Sequence, residues 1–326
     1  MFQLSPWSFK FKFTKDGSIE NYDLPELDAI IRQHLTWAKR YDVKISFLIG
    51  FSAYRVFAEV HAKQFKYGSP EWSNAWQNWL NGVAKTMQKC GVNPAECVVE
   101  TWDEPHLKDV DTVLLTSKLA KKANTNMQMQ ITFGATQHKI SFLKKLVDDV
   151  DIWCPWGSFF NDKEYRDFFI STGKLPGKKL WFYYCSTSMR EPLYRYYRRH
   201  AWTGLNYKVD TIGMYALVNG PGGHYGANSF KSLVGGGALV YRSFDQCIPS
   251  VRYECLRIGA TDIQYMAELK KLSDKAITGE LVIAARKLLT EGVYDVAVNQ
   301  AHDASAADRV RNEAIKLILE LQKTVK

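Results

Sequence analysis

Cys97-Val98-Val99-Glu100-Thr101-Trp102-Asp103-Glu104-Pro105 is the stretch on which the fold turns. Cys97 to Trp102 reads as a short buried strand, and Pro105 ends it, because a proline brings no backbone N–H to a sheet. Two adjacent carboxylates, Asp103 and Glu104, therefore sit where a strand stops and the chain turns outward. In parallel α/β folds that position is the carboxyl edge of the sheet, where active sites are built. A carboxylate pair is also what glycoside hydrolysis needs, one group held protonated as acid and one ionised to stabilise positive charge. The plainer alternative is that Asp103 caps the following helix and Glu104 pairs with a surface lysine.

Outward from this stretch, short apolar runs alternate with amphipathic helical stretches from residue 7 to about 272. The expected strands are Trp7–Phe13, Lys44–Gly50, Cys97–Trp102, Met127–Phe133, Asp151–Pro155, Lys179–Cys185 and Asp210–Leu217. Between them fall helices over Leu24–Tyr41, Pro70–Cys90, Asp111–Ala123, His138–Val147, Asp162–Thr172 and Met189–His200. Such alternation indicates βα units on a parallel sheet. With no GxGxxG turn, a barrel is favoured over a doubly wound dinucleotide fold. Helix ends carry matching chemistry: Ser69-Pro70-Glu71 opens a long helix and Cys90-Gly91 closes it. After Leu217 comes a glycine-rich loop, Val218 to Gly226, without phosphate-loop spacing. A short strand over Gly235–Tyr241 and a helix from Pro249 to about Leu272 follow. Residues 1–272 thus form the expected (β/α) barrel, and 273–326 a C-terminal helical extension built from helices over 279–293 and 304–322.

Composition narrows the class. With 326 residues, 46% hydrophobic and 24% charged, the chain can bury a large core as an ordinary globular protein. Ten Trp, 17 Tyr and 17 Phe suit stacking on sugar rings, but they also fill large cores. The net charge of +9 raises nucleic acid or an acidic polymer as partner. Yet the positive residues are spread along the chain, the densest cluster (Arg190 to Arg199) reads as one helix face, and no nucleic-acid motif accompanies it. Nucleic acid is therefore not an expected partner, whereas anionic glycans remain compatible. Six Cys show no CxxC and no metal spacing, and Cys97, Cys154 and Cys185 fall in apolar runs. Seven scattered His form no zinc array, so neither a metal nor another cofactor is expected. No signal peptide and no run of 18 apolar residues is present, so no membrane span is expected.

Several motifs occur together in order: the strand ending Asp103-Glu104-Pro105, Trp181-Phe182-Tyr183-Tyr184-Cys185, Gly237-Ala238-Leu239-Val240-Tyr241, and Pro249-Ser250-Val251-Arg252-Tyr253-Glu254-Cys255-Leu256-Arg257-Ile258-Gly259, extended by Asp262-Ile263-Gln264-Tyr265-Met266. Together they resemble the catalytic barrel of glycoside hydrolase family 123 and its DUF4091-type relatives, over roughly residues 1–272. The resemblance implies a (β/α)8 TIM-type barrel and a retaining β-N-acetylgalactosaminidase working by substrate assistance. The sugar's own acetamido oxygen attacks the anomeric carbon; Glu104 would be the general acid, and Asp103 would orient the acetamido group and stabilise the oxazolinium. In the family the acid pair follows the fourth strand, whereas here it follows the third. The first βα unit, and the β-sandwich usually found upstream, are thus expected to be missing from this chain.

Further substrate-binding candidates lie at other strand ends. Trp102 and Trp156 could wall the sugar, Trp102 equally being a core residue. Tyr183 and Trp181 alternate with Phe182 and Tyr184, so one pair faces the barrel interior. Tyr215, Asn219 and Tyr241 close later strands, where a hydroxyl or amide could bind sugar oxygens. Arg252 reads as structural, pairing with Glu254 or Asp262, and His224 as a loop histidine. Two other functions stay open. One is a glycosidase on a sugar lacking the acetamido group, with Glu100 or Asp151 supplying the second carboxylate. The other is a non-catalytic glycan-binding barrel remnant.

Overall fold

The computed structural model describes residues 1–50, 52–134, 138–185, 192–215, 239–242, 247–276 and 279–324. They show an α/β fold with a seven-strand sheet and divide into two compact units, Met1–Trp181 and Phe182–Lys326. In the first unit, β1 (Phe2–Leu4) is followed by a two-strand hairpin, β2 (Lys12–Phe13) and β3 (Ile19–Asn21), and by α1 (Pro25–Arg40). Strands β4 (Phe47–Ile49), β5 (Cys97–Asp103), β6 (Gln128–Phe133), β7 (Ile152–Pro155) and β8 (Lys179–Cys185) then alternate with helices. These are α2 (Ala53–Val60), α3 (Pro70–Lys89), α4 (Val110–Lys122), α5 (Ile140–Lys145) and α6 (Lys163–Gly173). The pairings from β1 through β8 are all parallel. β9 (Thr211–Tyr215) completes the strand order, β1-β4-β5-β6-β7-β8-β9. Neighbours in space are neighbours in sequence, the order of a barrel-like class.

Three expectations need correction. The first strand is Phe2–Leu4, not Trp7–Phe13. Pro6, lacking an N–H, opens a 3-10 turn over Pro6–Ser8, and Lys12–Phe13 pairs antiparallel with Ile19–Asn21. The turn between those two strands needs Gly17, whose φ is +83° and whose added Cβ would lie 2.4 Å from the Glu71 carbonyl oxygen. Helix α2 was not expected from sequence. Finally, Val240–Arg242 (β10) pairs antiparallel with Cys247–Pro249 (β11) in a separate two-strand sheet, not with the parallel strands.

Aromatic residues fill the helix-facing core of the first unit. Trp72, Trp76 and Trp79 on α3 are buried, and the indole N–H groups of Trp76 and Trp79 donate to the Thr116 and Phe9 carbonyls at 3.1 and 3.2 Å. Trp153 on β7 stacks on Phe133 at 5.5 Å and meets Phe168 of α6. Each buried indole thus has its large apolar area in the core, where burial stabilises by roughly 25 cal/mol per Å².

The second unit holds the rest of β8, a π-helical turn over Tyr194–Arg198, and α7 (Arg199–Tyr207). It also holds β9 and the β10–β11 pair, followed by α8 (Val251–Lys275), α9 (Glu280–Lys287) and α10 (Ala304–Thr324). Met266, Leu269 and Leu272 of α8 share one core with Val282, Ala285, Ala314 and Leu317. Helix α8 therefore runs without a break through the expected boundary at 272. At its centre Asp262, fully buried, accepts from Arg198 Nε at 2.8 Å, Trp202 Nε1 at 3.0 Å and Arg311 at 3.4 Å. Arg252 was expected to pair with Glu254 or Asp262. Asp262 is held by Arg198 and Arg311, and Glu254 pairs with Arg257 at 2.7 Å.

Candidate active site at the end of the third strand

β5 is the third strand of the sheet, and its register decides what the carboxylates can do. Glu100 pairs with Gln130, but Trp102 pairs with Ile131 and Asp103 with Thr132, so Thr101 is an extra residue. This bulge breaks the two-residue alternation. Without it, Glu100 and Asp103, three residues apart, would point to opposite faces. With it, both point the same way. The Thr101 hydroxyl donates to the Gln130 carbonyl at 3.0 Å and fixes the bulge.

The other face belongs to the helices. Trp102 is 3% exposed, stacks on Tyr54 of α2 at 4.8 Å and donates from Nε1 to Thr116 Oγ1 of α4 at 2.9 Å. The structure places it in the core between β5 and the helices. Following the register, Glu100, Asp103, Gln130, Thr132 and Cys154 share the face turned away from the helices. Trp156 lies beyond Pro155 in extended conformation on the same face, its amide bonded to the Phe133 carbonyl at 2.8 Å. Register also settles β8: Leu180 packs against Gly173 of α6 and Phe182 against Gly204 of α7. Trp181 and Tyr183 therefore turn to the face opposite Leu180 and Phe182.

On this face Glu100 is buried, at 7% exposure, and is held by hydrogen bonds. It accepts from the Thr132 hydroxyl, from Gln130 Nε2 at 3.5 Å and from the Ser52 amide at 3.4 Å. Ser52 takes a left-handed φ of +55° to present that amide. Burial, with Glu100 nearby, pushes the Cys154 thiol up and keeps it protonated. Several buried polar atoms here have no partner among the described residues: Ser52 Oγ, Gln130 Oε1, Trp156 Nε1 and Trp181 Nε1. Buried donors and acceptors normally find partners.

Asp103 is half-buried. Burial raises its pKa first, the charge of Glu104 raises it further, and Arg55 of α2 opposes both. Glu104 is exposed and adopts φ +46°, a left-handed conformation. Its amide still donates to the Thr132 carbonyl at 2.9 Å, so the ladder persists while the side chain is thrown sideways over the end of β6. There it covers Gly134, where an added Cβ would come within 2.4 Å of Glu104 Cδ. Behind the pair, the turn is pinned by His138, buried and held neutral by desolvation, whose Nε2–H donates to the Pro105 carbonyl at 2.8 Å. Helix α4 does not start from Asp103: its N-cap position is Asp109, whose carboxylate makes no cap bond to α4 and instead accepts from the His106 amide at 2.9 Å across the 3-10 turn Leu107–Asp109.

The remaining candidates separate. Asp151 stands at the opposite end of β7, bonded to the Met129 amide at 3.0 Å and paired with Lys121 at 2.9 Å, and so cannot join the acid pair. Tyr215 and Tyr241 lie in β9 and β10, but their side chains are outside the described residues, as are Asn219 and His224. Gln130, Thr132 and Gly134 were missed by sequence reasoning. Their signal was the strict polar–apolar alternation of Gln128-Met129-Gln130-Ile131-Thr132-Phe133-Gly134. Among the described residues, no cluster of His, Cys, Asp and Glu could hold a metal ion. No described helix is long and apolar enough to cross a membrane.

No family model matches the chain, and no curated protein matches it. Among solved structures the chain is similar to "PaMucR Phosphodiesterase, c-di-GMP complex", at 16% identity and a TM-score of 0.31. That likeness covers 48% of this chain and 58% of the other, less than two thirds of its length. At so low a similarity it carries no argument about function.

Proposed function

We propose that this protein is a glycoside hydrolase acting on a β-linked 2-acetamido sugar by substrate assistance. In this reading the fold is a (β/α)8 barrel of the family 123 type lacking its first βα unit, and the parent protein carries an upstream β-sandwich. The acetamido oxygen attacks the anomeric carbon while Glu104 protonates the departing glycosidic oxygen. Glu104 then takes a proton from the water that opens the oxazolinium. Asp103 orients the acetamido N–H and stabilises the positive charge as it forms. Burial favours neutral Asp103 in the free protein. With Glu104 protonated, the charge that raises the Asp103 pKa is gone, and Arg55 and the developing oxazolinium favour the ionised carboxylate, its proton passing to solvent.

The observation that carries this reading is the conformation of Glu104. A left-handed glutamate costs about 1–2 kcal/mol relative to the right-handed form, and such strain persists at sites where function needs it. Here it aims a carboxyl across the strand end beside a second, half-buried carboxyl. The polar face that Asp103 shares with Glu100, Gln130 and Thr132 suits a ligand rich in hydroxyls. Hydrolysis of paired chromogenic β-GalNAc and β-Gal substrates is the test. Turnover of the acetamido sugar alone, lost in Glu104→Gln, is expected. Asp103→Asn should lose about 2–4 kcal/mol of transition-state stabilisation. Binding without turnover, or unchanged turnover in either variant, refutes the mechanism.

One alternative has its own support. The bulge at Thr101 turns Glu100 to the same face as Asp103. A glycosidase on a non-acetamido sugar would need a nucleophile about 5–5.5 Å from the acid. Turnover of β-Gal that is abolished by Glu100→Gln favours that enzyme instead.

A further inference from the structure

Helix α1 has one flank closed and one open. Leu27, Ile31 and Ala38 are buried. On one side Asp28 pairs with Lys89 at the end of α3 at 2.8 Å, and Arg32 donates to the Lys89 carbonyl at 2.8 Å. The other side carries Ile30, His34, Trp37 and Tyr41 at spacings of four, three and four residues, the spacing of a coiled-coil seam. Ile30, Trp37 and Tyr41 are 42%, 63% and 56% exposed, an unusual concentration of apolar surface on one flank. β1, which precedes this helix, stands at the end of the strand order. Phe2 of β1 meets His34 with ring centroids 3.4 Å apart.

We propose that this flank is the docking surface for a second copy of this chain, the two α1 helices pairing antiparallel about a two-fold axis between Gln33 and His34. The stripe is self-complementary in that arrangement. Ile30 lies against Trp37 of the second copy, and each copy's Tyr41 reaches the first turn of the other helix. Charge agrees: Glu26 in the first turn and Arg40 in the last lie toward this flank, so antiparallel pairing sets acid against base at both ends. A parallel pair would set like against like. The chain's net charge of +9 opposes self-association, so the apolar contact must supply the attraction, and Trp37 is its largest exposed part.

Sedimentation velocity from roughly 1 to 100 μM tests the proposal, a range suited to an interface smaller than the about 800 Å² per partner of standard complexes. The mass should rise with concentration from 37.4 kDa to twice that value. Trp37→Glu should hold the protein monomeric throughout, with an unchanged circular dichroism spectrum. Glu26→Arg and Arg40→Glu should each weaken association at least tenfold, and the two together should restore it. The double swap keeps the test decisive should Trp37→Glu fail to fold. A monomer at every concentration overturns the proposal, as does association indifferent to Trp37 and to the charge swap. Binding of this flank to a different protein only would be one such monomeric outcome.

Discussion

Replacing Gly134 by alanine moves the proposed acid without touching its charge. The new Cβ would lie 2.4 Å from Glu104 Cδ and 2.6 Å from both Cγ and Oε2, far inside contact distance. The neighbour that must yield is a flexible carboxyl end on an exposed side chain, so folding should change by less than about 1 kcal/mol; Gly134 does not use a positive φ, and alanine gains slightly through the unfolded chain. Chemistry should suffer far more. General acid catalysis contributes about 10²–10⁴-fold, and only where the leaving group needs a proton. Gly134→Ala should therefore lose much of that factor in kcat/KM on an alkyl β-N-acetylgalactosaminide and little on the dinitrophenyl glycoside. In a Glu104→Gln background the same substitution should have no further effect, as a double-mutant cycle would show. Equal activity of Gly134→Ala and the wild type on the alkyl substrate refutes the role given to Glu104. Equal losses on both substrates, persisting in the Glu104→Gln background, would mean that something other than the acid had moved.

Other consequences are open to direct measurement. Glu104→Gly should be more stable than Glu104→Ala by about 1 kcal/mol in urea unfolding, the reverse of the usual order, because glycine alone accepts φ +46° without strain. His200 is buried against the Gly213 carbonyl, and burial lowers its pKa from 6.5 to about 3. Its neutral form therefore supports folding above pH 6.5, and that support fades as pH falls toward 3. Unfolding at pH 5 and pH 7.5 should differ by about 2 kcal/mol from this residue, a difference that His200→Phe should remove. Asp262→Ala should destabilise the second unit by about 3–5 kcal/mol, since it leaves Arg198 and Trp202 without their buried acceptor. Trp102→Phe should cost about 1 kcal/mol through the lost bond to Thr116 yet leave KM unchanged; a raised KM would return Trp102 to the substrate pocket.

Much of the sheet could be read from the chain because buried parallel strands announce themselves as apolar runs. The runs at 44–50, 97–102, 127–133, 151–155 and 179–185 contain β4 to β8, save that β5 extends one residue further, to Asp103. The errors cluster where that signal is weakest. β1 has only three residues, and Trp7–Phe13 is as apolar as a strand although Pro6 opens a turn there. Helix α2, eight residues long, escaped because its apolar content matches that of a strand. With it went Ser52 and Arg55, both of which act on the carboxylates.

Local chemistry alone sets two carboxylates together at the end of a buried strand, since Pro105 allows the strand to go no further. It also determined the alternation of strands and helices, because hydrophobic period is a local property. Which face each side chain takes was decided only in three dimensions. A single extra residue at Thr101 turns Trp102 into the helix-facing core and Asp103 to the side of Glu100. No local preference marks that residue as the bulge; it is selected by the partner strand, whose Gln130 and Thr132 hold Glu100 and whose Gly134 leaves room for Glu104. Register is a property of two strands, and one strand's sequence cannot specify it.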